Sequence, residues 1–340
     1  MKTVRLKNID EALPRLGLGC MGMSEFYGPV SDRGDALNLM DVAFEQGVRV
    51  FDTADFYGNG DNEKLIGEFI ATYKKRPFLA TKCGIVRGKE VLSDGNFRRE
   101  YNGKPSYIKA ACESSLRRLG VDTIDLFYLH RIDPAVPIED STGALADLVQ
   151  AGKVRAIGLS EANADELQRA NAVFPISALQ SEYSIWSRHV EHELLPLCKK
   201  LDVTFVPYSP LGRGMVPAAK GQSLHFTKGD FRATLERADQ NNIDKNQPLY
   251  DVLFDTAARY GISHFQVMLA WLFAQSSSLL PIPGSRKIAN LLANVEAESI
   301  VLEDATLTEL SALFTSKTIA GGRYTINKEV AANAAAMSDN

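Results

Sequence analysis

The chain has no run approaching the roughly 20 consecutive apolar residues that a membrane helix needs. Its opening Met1-Lys2-Thr3-Val4-Arg5-Leu6-Lys7 also lacks an apolar core of the signal-peptide kind, so a cytoplasmic location is expected. Cysteine is scarce. Cys20, Cys83, Cys112 and Cys198 are widely spaced and form no CxxC, which argues against a zinc knuckle or a disulfide framework and for free thiols in a reducing compartment. Charge of one sign is missing too: the formal net charge is −4, with Lys and Arg scattered among Asp and Glu. Without a basic stripe to follow a phosphate backbone, nucleic acid is not an expected partner. What remains is a chain of 340 residues, 45% hydrophobic and 24% charged, able to bury a large core.

Strand-like runs alternate with amphipathic segments at intervals of roughly 25 to 40 residues, the rhythm of repeated βα units. Eight such runs can be counted: 16–19, 48–51, 78–82, 124–130, 154–159, 177–180, 203–206 and 278–281. Helices are expected near 32–46, 62–73, 106–119, 139–151, 164–172, 190–201, 250–260, 266–274 and 288–294, with Gly47, Gly120, Gly152 and Gly261 as stops. Eight units predict an α/β fold, a single (β/α)8 TIM barrel over residues 1–318, with residues 319–340 as a tail. The tail, with Gly321-Gly322 and the low-complexity run 331–336, is expected to be partly disordered and is given no chemistry. Segments 86–105 and 211–248 break the rhythm and read as long loops at the C-terminal mouth of the barrel.

Two motifs mislead. Gly17-Leu18-Gly19-Cys20-Met21-Gly22 matches the GxGxxG dinucleotide fingerprint letter for letter, but that fingerprint must open a helix, and Gly28-Pro29 places a loop there instead. The glycines are better assigned to a tight bend. His189 and His192 resemble a metal pair, yet no further ligands stand nearby, and no metal is expected.

Asp52, Tyr57, Lys82 and His130 each lie at or just beyond the end of an apolar strand-like run. Singly, each has an ordinary explanation: a snorkelling lysine, its counter-ion, a rim aromatic, a satisfied core histidine. Strand C-termini converge on one mouth in a parallel barrel, so together they form a candidate proton-transfer set. A phenol is a poor acid at neutral pH, and Lys82 beside Tyr57 is expected to lower its pKa, with Asp52 holding the ammonium in place. His130 would donate to a substrate oxygen. The set suits protonation of a carbonyl oxygen as hydride reaches its carbon, with the hydride supplied by a cofactor.

These residues resemble the aldo-keto reductase superfamily, through Phe51-Asp52-Thr53-Ala54-Asp55-Phe56-Tyr57-Gly58, Ala80-Thr81-Lys82 and Tyr128-Leu129-His130. Further matches are Gly158-Leu159-Ser160-Glu161-Ala162-Asn163, Leu179-Gln180-Ser181-Glu182-Tyr183-Ser184, 207–214 and 282–286, so the likeness spans nearly the whole chain. Gly19 to Ser24 and His130-Arg131-Ile132-Asp133 are similar to the branch of plant and microbial reductases that includes perakine reductase. The resemblance implies a barrel binding NADPH across its mouth, a small carbonyl substrate, and Tyr57 as general acid supported by Lys82, Asp52 and His130. It further implies that Ser160, Asn163 and Gln180 hold the nicotinamide carboxamide and Tyr208 stacks on the ring. Ser209, Pro210, Leu211 and Arg213 would line the pyrophosphate; Gly284, Ser285 and Arg286 would take the 2′-phosphate; Asn290 and Asn294 would lie near adenine, with Met21 and Asp52 also at the cofactor. Ala293 stands where many relatives carry Glu. The same resemblance admits a second reading, an NADPH-binding regulatory subunit like the potassium-channel beta subunits, although no N-terminal extension is evident to carry such a role. Among substrates, pyridoxal or another ring aldehyde stands beside a broad range of small aldehydes, with Phe26, Phe56 and Trp186 hinting at an apolar pocket.

Overall fold

The computed structural model describes residues 1–91, 97–227 and 230–324. Seven parallel strands form one sheet in the order β11(Thr204–Tyr208), β10(Ala178–Glu182), β9(Val154–Ser160), β8(Ile124–Leu129), β5(Phe78–Cys83), β4(Val50–Asp52) and β3(Gly17–Gly19). Segment 279–284 closes it. Leu280 and Ile282 donate backbone N–H groups to Phe205 and Pro207 on one side, while Gly17 and Gly19 donate to Pro281 and Pro283 on the other. Each of the eight expected runs is thus a stave of a (β/α)8 barrel.

Alternation along the strands sorts side chains into two cores. Phe51, Leu79, Phe127, Leu129, Ile157, Leu159, Leu179 and Phe205 face the helical layer. Val50, Phe78, Ala80, Leu126, Tyr128, Ala156, Ala178, Val206, Leu280 and Ile282 fill the barrel interior, together with Val4, Leu6, Ile9 and Leu13. The last four belong to or flank a hairpin, β1(Thr3–Val4) and β2(Leu13–Pro14), that seals the N-terminal end of the barrel.

The outer layer comprises α1(Arg33–Glu45), α2(Asp61–Tyr73), α3(Pro105–Leu119), α4(Ile138–Gln150), α5(Ala164–Val173), α6(Leu194–Leu201), α7(Gln240–Tyr260), α8(His264–Gln275), α9(Ile288–Glu296) and α10(Asp304–Leu313). Local chemistry sets several boundaries. Asp32 caps α1 by accepting from the Gly34 and Asp35 N–H groups, and capping boxes open α5 (Asn163 with Glu166) and α8 (Ser263 with Gln266). Gly120 and Gly261 end α3 and α7 in the left-handed conformation. No helix among the described residues is long and apolar enough to cross a membrane.

Four expectations need correction. Segment 86–105 is mainly an antiparallel hairpin, β6(Ile85–Val91) with β7(Phe97–Tyr101), although residues 92–96 lie outside the described residues. The 211–248 loop ends at Asp239, whose carboxylate caps α7 by accepting from the Asn241 N–H; Pro248 is carried inside that helix rather than bounding it. Gly17 and Gly19 do not serve a bend. A Cβ would meet Ile282 Cγ2 at 2.9 Å from Gly17 and Ile282 O at 2.7 Å from Gly19, so these glycines let the eighth stave close. The tail, given no chemistry above, carries two side chains into the mouth at Arg323 and Tyr324; its low-complexity run 331–336 lies outside the described residues.

Candidate active site

The alternation that fills the barrel also aims the site. Asp52 follows Val50 by two, Lys82 follows Ala80, His130 follows Tyr128, Ser160 follows Gly158, Gln180 follows Ala178, Tyr208 follows Val206 and Gly284 follows Ile282. Each continues the inward-facing set of its strand one step past the apolar core, so all reach the C-terminal mouth. Tyr57 joins them from a tight turn, where Gly58 and Asn59 adopt left-handed conformations and Gly60 is also at positive φ.

Lys82, fully buried, is the hub. Its ammonium donates to Asp52 Oδ1 at 2.5 Å, to the Thr53 carbonyl at 2.7 Å and to the Tyr57 hydroxyl at 3.4 Å. Gln180 Nε2 donates to the other Asp52 oxygen at 2.8 Å. The Tyr57 and His130 rings meet edge to face, 5.7 Å between centroids. Burial is the largest influence on Lys82 and opposes its charge, but Asp52 and Tyr57 together outweigh it and hold the pKa above the ordinary lysine value. Burial likewise pushes Asp52 up against the pull of Lys82 and Gln180.

For Tyr57 the expectation reverses. Burial raises the phenol's pKa by more than Lys82 lowers it, with Asp52 adding to the rise, so the group stays protonated at neutral pH, the form an acid must have. Burial first, then Lys82, Arg131 and Arg99, depress His130 well below the ordinary imidazole value. His130 is therefore neutral at neutral pH, and its Nδ1 is buried without a partner among the described residues.

The structure gathers most of the expected cofactor residues along the rim from β9 to the start of α9. Ser160 and Gln180 sit at adjacent strand ends, and Asn163 caps α5 through its side-chain oxygen. Tyr208 ends β11, its hydroxyl 2.8 Å from that of Tyr324. Beyond it Ser209, Gly212, Arg213 and Gly214 all have positive φ, a strained turn of the kind found at functional sites. Arg213 does not face open space: it donates to buried Glu182 at 2.7 Å. Leu211 packs against the core and Pro210 is buried. Gly284 pairs with Gly19, the Ser285 hydroxyl caps its own turn at Lys287, and Arg286 donates to the Pro29 carbonyl. Asn294 is buried on α9, whereas Asn290 is exposed. Met21 packs with Phe26 and Tyr101 against Ala54, Phe56, Tyr57 and Ile85. Trp186 belongs to the core, packed on Tyr250 and Phe314.

Sequence reasoning gave no role to Glu161, Glu182, Arg323 or Tyr324. Arg323 donates to both Glu161 oxygens at 3.1 Å and to Glu182 at 3.3 Å, fastening the tail across the ends of β9 and β10. A basic–aromatic pair after Gly321-Gly322 was the one available signal. The described residues contain no group of three or more His, Cys, Asp or Glu placed to hold a metal. A surface recess of about 300 Å³ beside α3 and α4 is remote from the mouth, and its charges are already matched as Lys109–Asp147 and Lys153–Glu113.

Comparisons with known proteins agree with this geometry. The model of the aldo/keto reductase family matches residues 15–314. A probable aldo-keto reductase of Glycine max is 38% identical over 325 residues, 95% of this chain and 92% of its own length. Among solved structures, a glycerol dehydrogenase of Gluconobacter oxydans superposes with a TM-score of 0.82 at 26% identity, covering 92% of this chain and 96% of that one. An aldo/keto reductase of Klebsiella pneumoniae in complex with NADP and acetate gives 0.70 at 26% identity, covering 92% and 95%. The chain belongs to the aldo-keto reductase family, whose members act with a nicotinamide cofactor.

Proposed function

We propose that this protein is an NADPH-dependent reductase of aldehydes or ketones in which Tyr57 is the general acid. The observation that carries the reading is the buried chain Asp52–Lys82–Tyr57, with neutral His130 edge-on to the phenol. When bound, the reduced nicotinamide supplies hydride to the carbonyl carbon. Tyr57 gives its proton to the carbonyl oxygen, so the products are the alcohol and the oxidised cofactor, and the phenol is reprotonated from solvent. As that proton leaves, the developing phenolate faces a fixed ammonium, which lowers the barrier without rearrangement. His130 donates a second hydrogen bond to the same oxygen and orients the carbonyl.

The rim residues suit the cofactor by donor chemistry. Ser160, Asn163 and Gln180 offer the donors and acceptors an amide requires, and Tyr208 offers a flat face. The strained turn at 209–214 presents backbone toward a pyrophosphate, although Arg213 must share its guanidinium between that group and Glu182. Ser285, Arg286 and Lys287 precede α9, where a 2′-phosphate finds a hydroxyl, two cations and a helix N-terminus. This favours NADPH over NADH, and relatives from Klebsiella pneumoniae have been crystallised with NADP and with NADPH. The soybean relative accords with the plant and microbial branch, and a cytoplasmic location accords with the sequence.

Loss of NADPH absorbance with a panel of aldehydes and ketones, repeated with NADH, tests the reading. Turnover with preference for NADPH supports it. Tight NADPH binding with no turnover of any carbonyl points instead to a regulatory subunit.

A further inference from the structure

Among the described residues, the mouth holds more guanidinium groups than carboxylates to pair with them. Five arginines contribute: Arg99 from β7, Arg131 after β8, Arg213, Arg237 and Arg323. Arg213 and Arg323 share Glu182 and Glu161. Arg237 is held by the Gly321 carbonyl and the Ser187 hydroxyl. Arg131 Nη1 donates to the His130 carbonyl at 2.6 Å and to Ser160 Oγ at 3.2 Å, both neutral acceptors. The Arg99 side chain has no hydrogen bond and no ion pair among the described residues. Its guanidinium carbon lies 5.4, 5.6 and 5.5 Å from the ring centroids of Phe26, Phe56 and Phe231.

Arg99 and Arg131 are therefore two largely buried cations that make no ion pair among the described residues, the nearby Glu161 of Arg131 being already taken by Arg323, and they flank the reacting groups. Phe26, which Arg99 covers, meets the Tyr57 ring edge-on at 6.4 Å and stacks on Phe56 at 6.1 Å. Both guanidiniums add to the depression of His130, and after burial Arg131 is the next strongest influence lowering Arg99. Like charges held together out of water are costly. On the cofactor placement proposed above, its phosphates would be served by 209–214 and 285–287 and would not answer them. An anionic group on the substrate would, because each guanidinium presents a planar fork that matches carboxylate or phosphate oxygens.

We propose that the substrate is a carbonyl compound bearing a carboxylate or phosphate, with the anion gripped by Arg99 and Arg131, an apolar body against Phe26, Phe56 and Phe231, and the carbonyl at Tyr57 and His130. The inference rests on the reductase reading and names its substrate class. Placing Arg99 on the hairpin and Arg131 beside His130 lets one molecule bridge an inserted element and the barrel, so binding of the anion also sets the carbonyl.

The test compares 4-carboxybenzaldehyde with 4-isopropylbenzaldehyde, similar in size and with para groups of little electron demand but differing in charge, in the wild type, Arg99→Met, Arg131→Met and Arg99→Lys. Wild-type kcat/KM should favour the carboxylate by at least about tenfold, chiefly through KM. Both Met variants should bring that ratio close to one whatever happens to the absolute rates, and Arg99→Lys should keep part of it. Glyceraldehyde 3-phosphate against glyceraldehyde runs the same comparison for phosphate, and the pair with the larger preference identifies the anion. Equal kcat/KM within both pairs, or a ratio unchanged in both Met variants, overturns the proposal while leaving the reductase standing. If no aldehyde is consumed at all, the reductase reading fails first. Calorimetric titration of benzoate into the NADPH-bound protein then decides the anion site alone: binding lost in Arg99→Met supports it, and no binding to the wild type removes it.

Discussion

Lys82 Nζ and Asp52 Oδ1 lie 2.5 Å apart, and neither side chain is more than 5% exposed. An ion pair this deep gains little net stability, yet removing one partner strands the other in a poor solvent. Lys82→Met should destabilise the fold by about 3–5 kcal/mol. In the double variant Lys82→Met/Asp52→Leu no charge is left buried, so part of the loss should return, while both proteins lose turnover. Urea denaturation decides it: a Lys82→Met cost below about 1 kcal/mol would mean the pair is not sequestered as described.

Asp55 titrates in the opposite sense from most carboxylates. Burial, then the neighbouring Glu63, pushes its carboxyl up to about 8, and its Oδ1 is buried without a partner among the described residues. The unfolded value is about 3.9. Between those values the folded state binds the extra proton, so this contribution is complete below pH about 4 and is lost as pH rises through about 8. Asp55→Asn should therefore gain stability relative to the wild type as pH is raised from 5 to 9. Parallel stability curves for the two proteins would refute the assignment.

Arg323 ties the tail to two buried carboxylates. Although burial is the largest influence on Glu161 and raises it, Arg323 and Arg131 together hold it below the ordinary carboxylate range; Glu182 is held low against its own burial by Arg213, Arg323 and Arg237. Stability from these groups is present above the unfolded value of about 4.3 and is lost as pH falls. Arg323→Ala should shift acid unfolding to higher pH, followed by far-UV circular dichroism. An unchanged acid midpoint would show that the tail contributes no such support.

Gly19 has no room for a side chain, since a Cβ would meet the Ile282 carbonyl oxygen at 2.7 Å. Gly19→Ala must push the closing stave away and should cost about 1–3 kcal/mol, seen as a lower thermal midpoint. A midpoint equal to wild type would argue against closure at this seam.

Much of this architecture was legible because strand alternation and the placement of polar residues one step past an apolar run are both local patterns. Asp52, Lys82 and His130 could be found that way, with Tyr57 just beyond the run that ends at Asp52, and the family motifs carry the same four. What escaped was set by distant contacts. The roles of Gly17 and Gly19 depend on Ile282, more than 260 residues away in sequence and adjacent only once the barrel closes. Pro248 reads as a boundary, yet packing of Leu249, Tyr250 and Leu253 carries α7 through it. The direction of the Tyr57 shift turned on burial, which spacing cannot measure against Lys82. Arg323 and Tyr324 offer only a basic–aromatic pair after two glycines, and their meeting with Glu161, Glu182 and Tyr208 is what gives them a place.

The central claim is that Tyr57 delivers the proton, and Tyr57→Phe tests it most directly because the ring and its contacts with Phe26 and His130 are kept. With a carbonyl substrate and NADPH, kcat should fall by about 10²–10⁴-fold while the Kd for NADPH stays within about twofold of wild type. Turnover close to wild type in Tyr57→Phe, with cofactor bound equally well, would contradict the account.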